Sequence, residues 1–182
     1  MRVPRTFVFV DLSGFTNYTA AFGDDAAGRL LSTFRSIVRE VASDRGVRIA
    51  KWLGDGCMVV AVEQQNAIAF TLDLRARSGD VCSPLTLRAG IATGYALLFE
   101  GDDYIGSAVN MASRLCDIAS HHQVLISAMG VERLPEGVTA APIGGVQLAG
   151  FPGDVEVLEL TGVPAPADNT DTGELWTRSP FI

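Results

Sequence analysis

Between Asp24 and about Ser43 apolar residues recur every third or fourth position, with Leu30, Leu31, Phe34, Ile37, Val38 and Val41 forming one stripe. That period matches a helical turn, and Arg29, Arg35, Arg39 and Glu40 fall largely outside the stripe, so the stretch predicts an amphipathic helix. Elsewhere the pattern is that of strands. Thr6 to Val10 is β-branched and aromatic and ends at Asp11, followed by a turn, Leu12-Ser13-Gly14-Phe15-Thr16, that opens a helical region. Val47 to Leu53 and Cys57 to Val62 are strand-like runs separated only by Gly54-Asp55-Gly56, which is hairpin spacing with Asp55 at the tip. Asn66 to Arg77 predicts a second helix, Leu85 to Thr93 an alternating strand, and Tyr95 to Phe99 its continuation after a turn at Gly94. Ser107 to Ser120 carries Val109, Met111, Leu115, Cys116 and Ile118 at helical spacing, and Val124 to Ser127 and Val155 to Leu160 supply later strands. Helices alternating with antiparallel hairpins predict an α+β sandwich.

Past Leu160 the chain turns to Pro, Thr, Asp and Gly, so residues 163–182 are expected to be a flexible tail or linker behind one domain, 1–162. With 182 residues, 48% of them apolar, one buried core is expected and a second domain would be cramped. No apolar run approaches the roughly 20 residues of a membrane helix, and Met1 to Arg5 lacks signal-peptide layout, so a cytoplasmic protein without a membrane partner is expected. The net charge of -7, with no runs of cations, disfavours nucleic acid as a partner. Cys57, Cys82 and Cys116 are odd in number, scattered and free of CxxC spacing, which favours buried thiols over disulfides or a thiolate metal site. Thirteen arginines accompany a single lysine, Lys51.

Asp11 ends a strand beside a turn and Asp55 sits at a hairpin tip, so the two carboxylates converge if those strands are neighbours. Such a sparse pair of hard oxygen ligands suits Mg²⁺ or Mn²⁺, which complete their shells with water and substrate phosphates. Taken singly, each Asp could equally support its turn through local backbone hydrogen bonds.

Four ordered stretches weigh against the simpler reading. Phe9-Val10-Asp11-Leu12-Ser13-Gly14-Phe15-Thr16, Lys51-Trp52-Leu53-Gly54-Asp55-Gly56, Leu87-Arg88-Ala89-Gly90-Ile91-Ala92-Thr93-Gly94 and Asp103-Tyr104-Ile105-Gly106-Ser107-Ala108-Val109-Asn110-Met111-Ala112-Ser113-Arg114-Leu115 resemble the signatures of class III adenylyl and guanylyl cyclase catalytic domains. The resemblance covers about Phe7 to Ala119, with weaker support from Leu148 to Leu160. It implies a ferredoxin-like, palm-type fold with a mainly antiparallel sheet. It further implies two divalent cations per site, Mg or Mn, held by Asp11, Asp55 and the Leu12 carbonyl, with backbone amides around Gly14, Phe15 and Thr16 meeting the triphosphate. A turn entering a helix offers unpaired N–H groups to phosphate, which supports that assignment on physical grounds.

The resemblance also makes Lys51 and Asp103 the purine-reading pair. Adenine N1 accepts a hydrogen bond and its 6-amino group donates one, so an ammonium and a carboxylate answer adenine, whereas guanine reverses both polarities. Asn110 and Arg114, four apart on a predicted helix, share a face, and the resemblance has them orient the ribose and stabilise charge on the reacting phosphate. Arg88 matches an arginine near the outer phosphates. His121 and His122 follow that helix and read as surface or helix-end residues. Because the family's sites lie between two catalytic domains and this chain carries both residue sets, a homodimer is expected, converting ATP to 3′,5′-cyclic AMP and pyrophosphate.

Two points depart from the pattern or compete with it. Where many relatives have a lysine in a late Leu-Lys-Gly stretch, this chain has Leu148-Ala149-Gly150, which removes one expected triphosphate contact. The main alternative is a catalytically weak or inactive cyclase-like nucleotide-binding regulatory module; a diguanylate cyclase is disfavoured because its Gly-Gly-Asp/Glu-Glu-Phe signature is missing at the hairpin.

Overall fold

The computed structural model describes residues 2–100 and 103–167. Its strands are β1 (Arg2–Ser13), β2 (Arg48–Leu53), β3 (Gly56–Ala61), β4 (Thr86–Phe99), β5 (Asp103–Ile105), β6 (Val124–Ser127), β7 (Val138–Gln147) and β8 (Asp154–Gly162). The helices are α1 (Phe15–Phe22), α2 (Asp24–Asp44), α3 (Gln64–Ser78) and α4 (Ser107–Ile118). All lie on one sheet of order β2-β3-β1-β4-β6-β8-β7, with β5 paired to β4. Every pair is antiparallel except β4 with β6, which are joined through β5 and α4. The first half, β1-α1-α2-β2-β3-α3-β4 with sheet order 2-3-1-4, is the ferredoxin-like arrangement, so the α+β palm-type expectation holds.

The sheet is covered on both faces. Val8, Val10 and Leu12 of β1 turn to the side of α2 and α3, where Phe34, Val38, Ile68, Phe70 and Leu72 close the main core. α3 buries a continuous run from Ala67 to Leu72, together with Leu74, while its polar residues gather toward its two ends. Phe7 and Phe9 point the other way, toward α4, against Ala108, Ala112 and Val109. Burying this much aliphatic and aromatic surface is the main driving force for the fold.

Gly90 sets how closely α4 approaches. A Cβ there would lie 2.2 Å from the Ala112 carbonyl oxygen and 2.3 Å from the Cys116 nitrogen, so only glycine lets the helix backbone rest on β4. That contact draws α4 down beside Asp11 and Arg88.

Several details differ from the sequence-based expectations. β1 runs on through Leu12 to Ser13, because β4 pairs with it over its whole length. No turn occurs at Gly94: β4 is continuous from Thr86 to Phe99, and the missing side chain instead accommodates Ala108, whose Cβ would be 3.0 Å from one on Gly94. β7 was not anticipated at all. Cys57, Cys82 and Cys116 are free and buried, as expected. Burial is the first cause that pushes the Cys57 and Cys116 thiols up to about 12, with the Asp11 charge second for Cys116, so both stay protonated.

The first residues of the expected tail stay on the domain. Pro164 is buried, the Ala165 amide donates to the Glu136 carbonyl at 3.2 Å, and Arg45 donates to the Ala165 carbonyl at 2.8 Å. The rest of that segment, 168–182, lies outside the described residues. Among the described residues no helix is long and apolar enough to cross a membrane.

Candidate active site

Pairing of β1 with β3 and β4 brings the first set of predicted residues together. Asp11 lies at the end of β1, and the β2–β3 turn carries Asp55 to the same cleft of about 540 Å³, which is also lined by Leu12 to Asn17, Arg88, Ala119, Ser120 and His121. Gly14 takes φ 91°, a left-handed conformation that turns the chain abruptly from β1 into α1. The first helical hydrogen bond runs from the Tyr18 amide to the Gly14 carbonyl at 2.9 Å, so the amides of Phe15, Thr16 and Asn17 precede it, at the positive end of the helix. The Leu12 side chain is buried in the core, which leaves its carbonyl as the group able to serve a ligand.

Asp11 and Asp55 influence one another. The Asp55 carboxyl is held above the ordinary carboxylate range, first by burial and then by the Asp11 charge, against smaller opposing effects of its own backbone N–H and of Arg88. A half-buried Asp55 raised by its own desolvation and by the Asp11 charge fits a divalent cation, whose charge would relieve both effects. No cluster of three or more His, Cys, Asp or Glu suited to a metal occurs among the described residues, so this two-carboxylate pair remains the candidate.

The raised Asp55 value has a consequence for stability. A carboxyl disfavoured in its charged form destabilises the fold above its raised folded-state pKa, and the penalty disappears below the ordinary unfolded value. Asp55→Asn is therefore expected to raise the melting temperature of the EDTA-treated protein at pH 8. The gain should shrink as pH falls through the raised value toward the ordinary carboxylate range. Melting curves of both proteins across that range check this; a gain independent of pH would remove the electrostatic explanation.

Arg88 stands directly opposite Asp11 in the β1–β4 register. Its Nε and Nη2 donate to Asp11 Oδ2 at 2.8 and 2.7 Å, and its Nη1 donates to the Asp117 carbonyl of α4 at 3.0 Å. It thus lines the cleft where the sequence suggested, but with its guanidinium bound to the carboxylate.

The second set lies elsewhere on the chain. Lys51 of β2 and Asp103 of β5 form an ion pair. Asn110 and Arg114 share the exposed face of α4, and Arg114 donates to Asp117 Oδ2 at 3.1 Å. None of these four residues lines the cleft that holds Asp11 and Asp55. The two sets of candidate residues therefore lie in different places on one chain, with Asp117 between them, bonded by both Arg88 and Arg114.

Sequence reasoning missed the support behind the hairpin. Arg35 and Arg39 of α2 stack on Trp52 of β2, their guanidinium carbons 4.9 and 5.2 Å from its ring centroid, and Arg35 Nη2 donates to the Gly54 carbonyl at 3.0 Å. This clamp fixes the strand that carries Lys51 and the turn that carries Asp55. Also missed was His121, which lines the cleft and whose Nδ1 meets Thr86 Oγ1 at 2.9 Å.

The fold and the two converging carboxylates define an α+β domain of the palm type, and comparison with known proteins gives its family. Residues 4–162 match the family model described as the adenylate and guanylate cyclase catalytic domain. An uncharacterized protein of Mycobacterium tuberculosis is 34% identical over 160 residues, covering 88% of this chain and 42% of that protein. An adenylate cyclase of Streptomyces coelicolor is 35% identical over 127 residues, covering 69% of this chain and 33% of that protein. The chain thus spans less than half the length of these curated relatives. Among solved structures, the adenylyl cyclase CyaB from P. aeruginosa superposes with a TM-score of 0.78 at 24% identity, covering 91% of this chain and 97% of that one. The guanylyl cyclase Cya2 superposes with a TM-score of 0.70 at 23% identity, covering 92% and 96%. The chain belongs to the class III adenylate and guanylate cyclases.

Proposed function

We propose that this chain is an adenylate cyclase that converts ATP to 3′,5′-cyclic AMP and pyrophosphate, with its active sites at the interface of a homodimer. The observation that carries the choice of ATP is the meeting of Lys51 and Asp103, which sets a donor beside an acceptor as adenine N1 and its 6-amino group require. Guanine would leave both groups facing a like partner, the kind of mismatch that yields strong selectivity. Relatives named as adenylate cyclases support the same choice.

The dimer follows from the two half-sites. In a two-fold pair, Asp11, Asp55, Arg88 and the Gly14-Phe15-Thr16 turn of one protomer face Lys51, Asp103, Asn110 and Arg114 of the other, giving two complete sites. An apolar patch supports such pairing: Tyr95, Leu97 and Phe99 of β4 and Ile105 of β5 are exposed, with Leu97 directly opposite Ile105.

The reaction is an in-line displacement in which the ribose 3′-hydroxyl gives its proton to water, its oxygen bonds to the α-phosphorus, the bond from that phosphorus to the bridging oxygen breaks, and pyrophosphate departs. Asp11, Asp55 and the Leu12 carbonyl would hold two divalent cations, Mg or Mn, which when bound lower the 3′-hydroxyl pKa and neutralise phosphate charge. The amides of Phe15 and Thr16 receive phosphate oxygens. Asn110 orients the ribose, and Arg114 stabilises charge gathering around the α-phosphate. Both are exposed on α4, where a partner's nucleotide can reach them, Arg114 from its exposed ion pair with Asp117.

Incubating the purified chain with ATP or GTP and Mn²⁺ or Mg²⁺, then identifying the products by mass, tests the proposal. Cyclic AMP from ATP, with much less cyclic product from GTP, is expected. No cyclic nucleotide at high protein concentration would favour the binding-module reading instead.

A further inference from the structure

We infer that His121, held by Thr86, binds the outer phosphates of the nucleotide in the cleft. The inference rests on the cyclase reading of that cleft and adds a substrate ligand to it.

The register of β1 and β4 sets out the geometry. Asp11 lies opposite Arg88, and Ser13 lies opposite Thr86. Residues two apart on a strand share a face and stand about 7 Å apart. On this face of the sheet the Asp11–Arg88 pair is thus followed, one step nearer the Gly14 turn, by Ser13, which lines the cleft, and by its neighbour Thr86. His121 meets Thr86 there and lines the same cleft as the turn that carries the amides of Phe15, Thr16 and Asn17. A triphosphate whose α-phosphate sits near the two carboxylates would then have both the turn amides and the imidazole in the same cleft for its β- and γ-phosphates.

Charge favours the same assignment. Of the residues lining the cleft, only Arg88 and His121 have side chains able to carry positive charge, while Asp11 and Asp55 supply negative charge. Arg88 is already engaged by Asp11 and by the Asp117 carbonyl. His121 has one ring nitrogen committed, to Thr86. With the Thr86 hydroxyl donating to Nδ1, the proton of the neutral ring resides on Nε2, which can then donate to a phosphate oxygen.

The loop presenting His121 is fixed. His122 has φ 61°, and its carbonyl accepts from Arg75 of α3 at 3.2 Å; Arg75 also donates to the Leu160 carbonyl at 3.4 Å. The turn after α4 is therefore tied to α3 and β8. His121 itself is exposed, so its substitution leaves the core intact.

The test uses the full chain and compares wild type with His121→Ala, His121→Gln and Thr86→Val. In His121→Ala, the KM for ATP and the inhibition constant of inorganic pyrophosphate should rise together by about tenfold, with kcat within about twofold, as expected for loss of a hydrogen bond to a charged group made equally in ground and transition states. Inhibition by AMP, which lacks the outer phosphates, should be unchanged. His121→Gln, which keeps a donor, should recover most of the loss, and Thr86→Val should show a smaller increase of the same kind. Unchanged pyrophosphate inhibition in His121→Ala, or parallel weakening of AMP and pyrophosphate, overturns the inference. Should wild type form no cyclic product, the cyclase reading fails on its own. Calorimetry of pyrophosphate with Mn²⁺ then decides this one: weaker binding by His121→Ala upholds it, and equal binding overturns it.

Discussion

An Asp11→Ala chain mixed with an Arg114→Ala chain is expected to recover about a quarter of wild-type turnover, although each variant alone should lose activity by about a thousandfold. The two residues lie apart on one chain, Asp11 in the cleft under the β1–α1 turn and Arg114 on the exposed face of α4, and in the proposed dimer they belong to different half-sites. In a homodimer of either variant both sites are damaged. In the mixed dimer one site receives both defects and the other receives none. Random pairing makes about half the dimers mixed, each with one intact site of two, and hence the expected quarter. Steady-state assays of the mixture across a range of mixing ratios read this directly. A mixture no more active than its components would mean that the sites are not shared between protomers.

Lys51→Met is expected to lower kcat/KM for ATP by about a hundredfold while leaving the melting temperature nearly unchanged. The stability expectation follows from exposure: the side chains of Lys51 and Asp103 are 45% and 50% accessible, and ion pairs so open to solvent contribute little to folding. The activity expectation follows from position, because removal of the ammonium leaves adenine N1 without a donor and Asp103 without a counter-ion. Selection between purines should weaken as well, since the penalty against guanine depends on both groups. Measuring kcat/KM for ATP and GTP on the same variant separates this from simple inactivation: an unchanged ratio would remove Lys51 from base recognition.

Much of the architecture was legible from periodicity. The stripe from Leu30 to Val41 could only be a one-sided helix, and it is α2. The glycine-punctuated step from Leu53 to Gly56 could only be a tight turn, and β2 and β3 meet across it. β7 was not legible because its residues, Val-Thr-Ala-Ala-Pro-Ile-Gly-Gly-Val-Gln, lack sustained alternation and include a proline and two glycines. It is a strand because β8 pairs with it, and an edge position tolerates Pro142 and the irregularity beside it. Gly94 misled for a related reason: a glycine that makes room for a helix and one that makes a turn look the same in sequence.

The candidate residues show the same division. Asp11, Asp55, Lys51, Asp103, Asn110 and Arg114 were found through local motifs. The bond from Arg88 to Asp11 depends on which residues the β1–β4 register sets opposite one another, and the place of His121 depends on where the α4 turn returns beside Thr86. Neither is encoded in nearby residues, so neither could be read before the strands were paired.

The stacking of Arg35 and Arg39 on Trp52 reaches further than the hairpin it steadies. Lys51 and Asp55 stand four residues apart on that one supported segment, yet in the proposed dimer they serve opposite active sites. Base recognition in one site and the carboxylate geometry of the other are thus set by a single rigid piece of backbone, and two-fold symmetry repeats the arrangement. The two sites of such an enzyme are built as one mechanical unit, with its anchor on the far side of the sheet from the nucleotide.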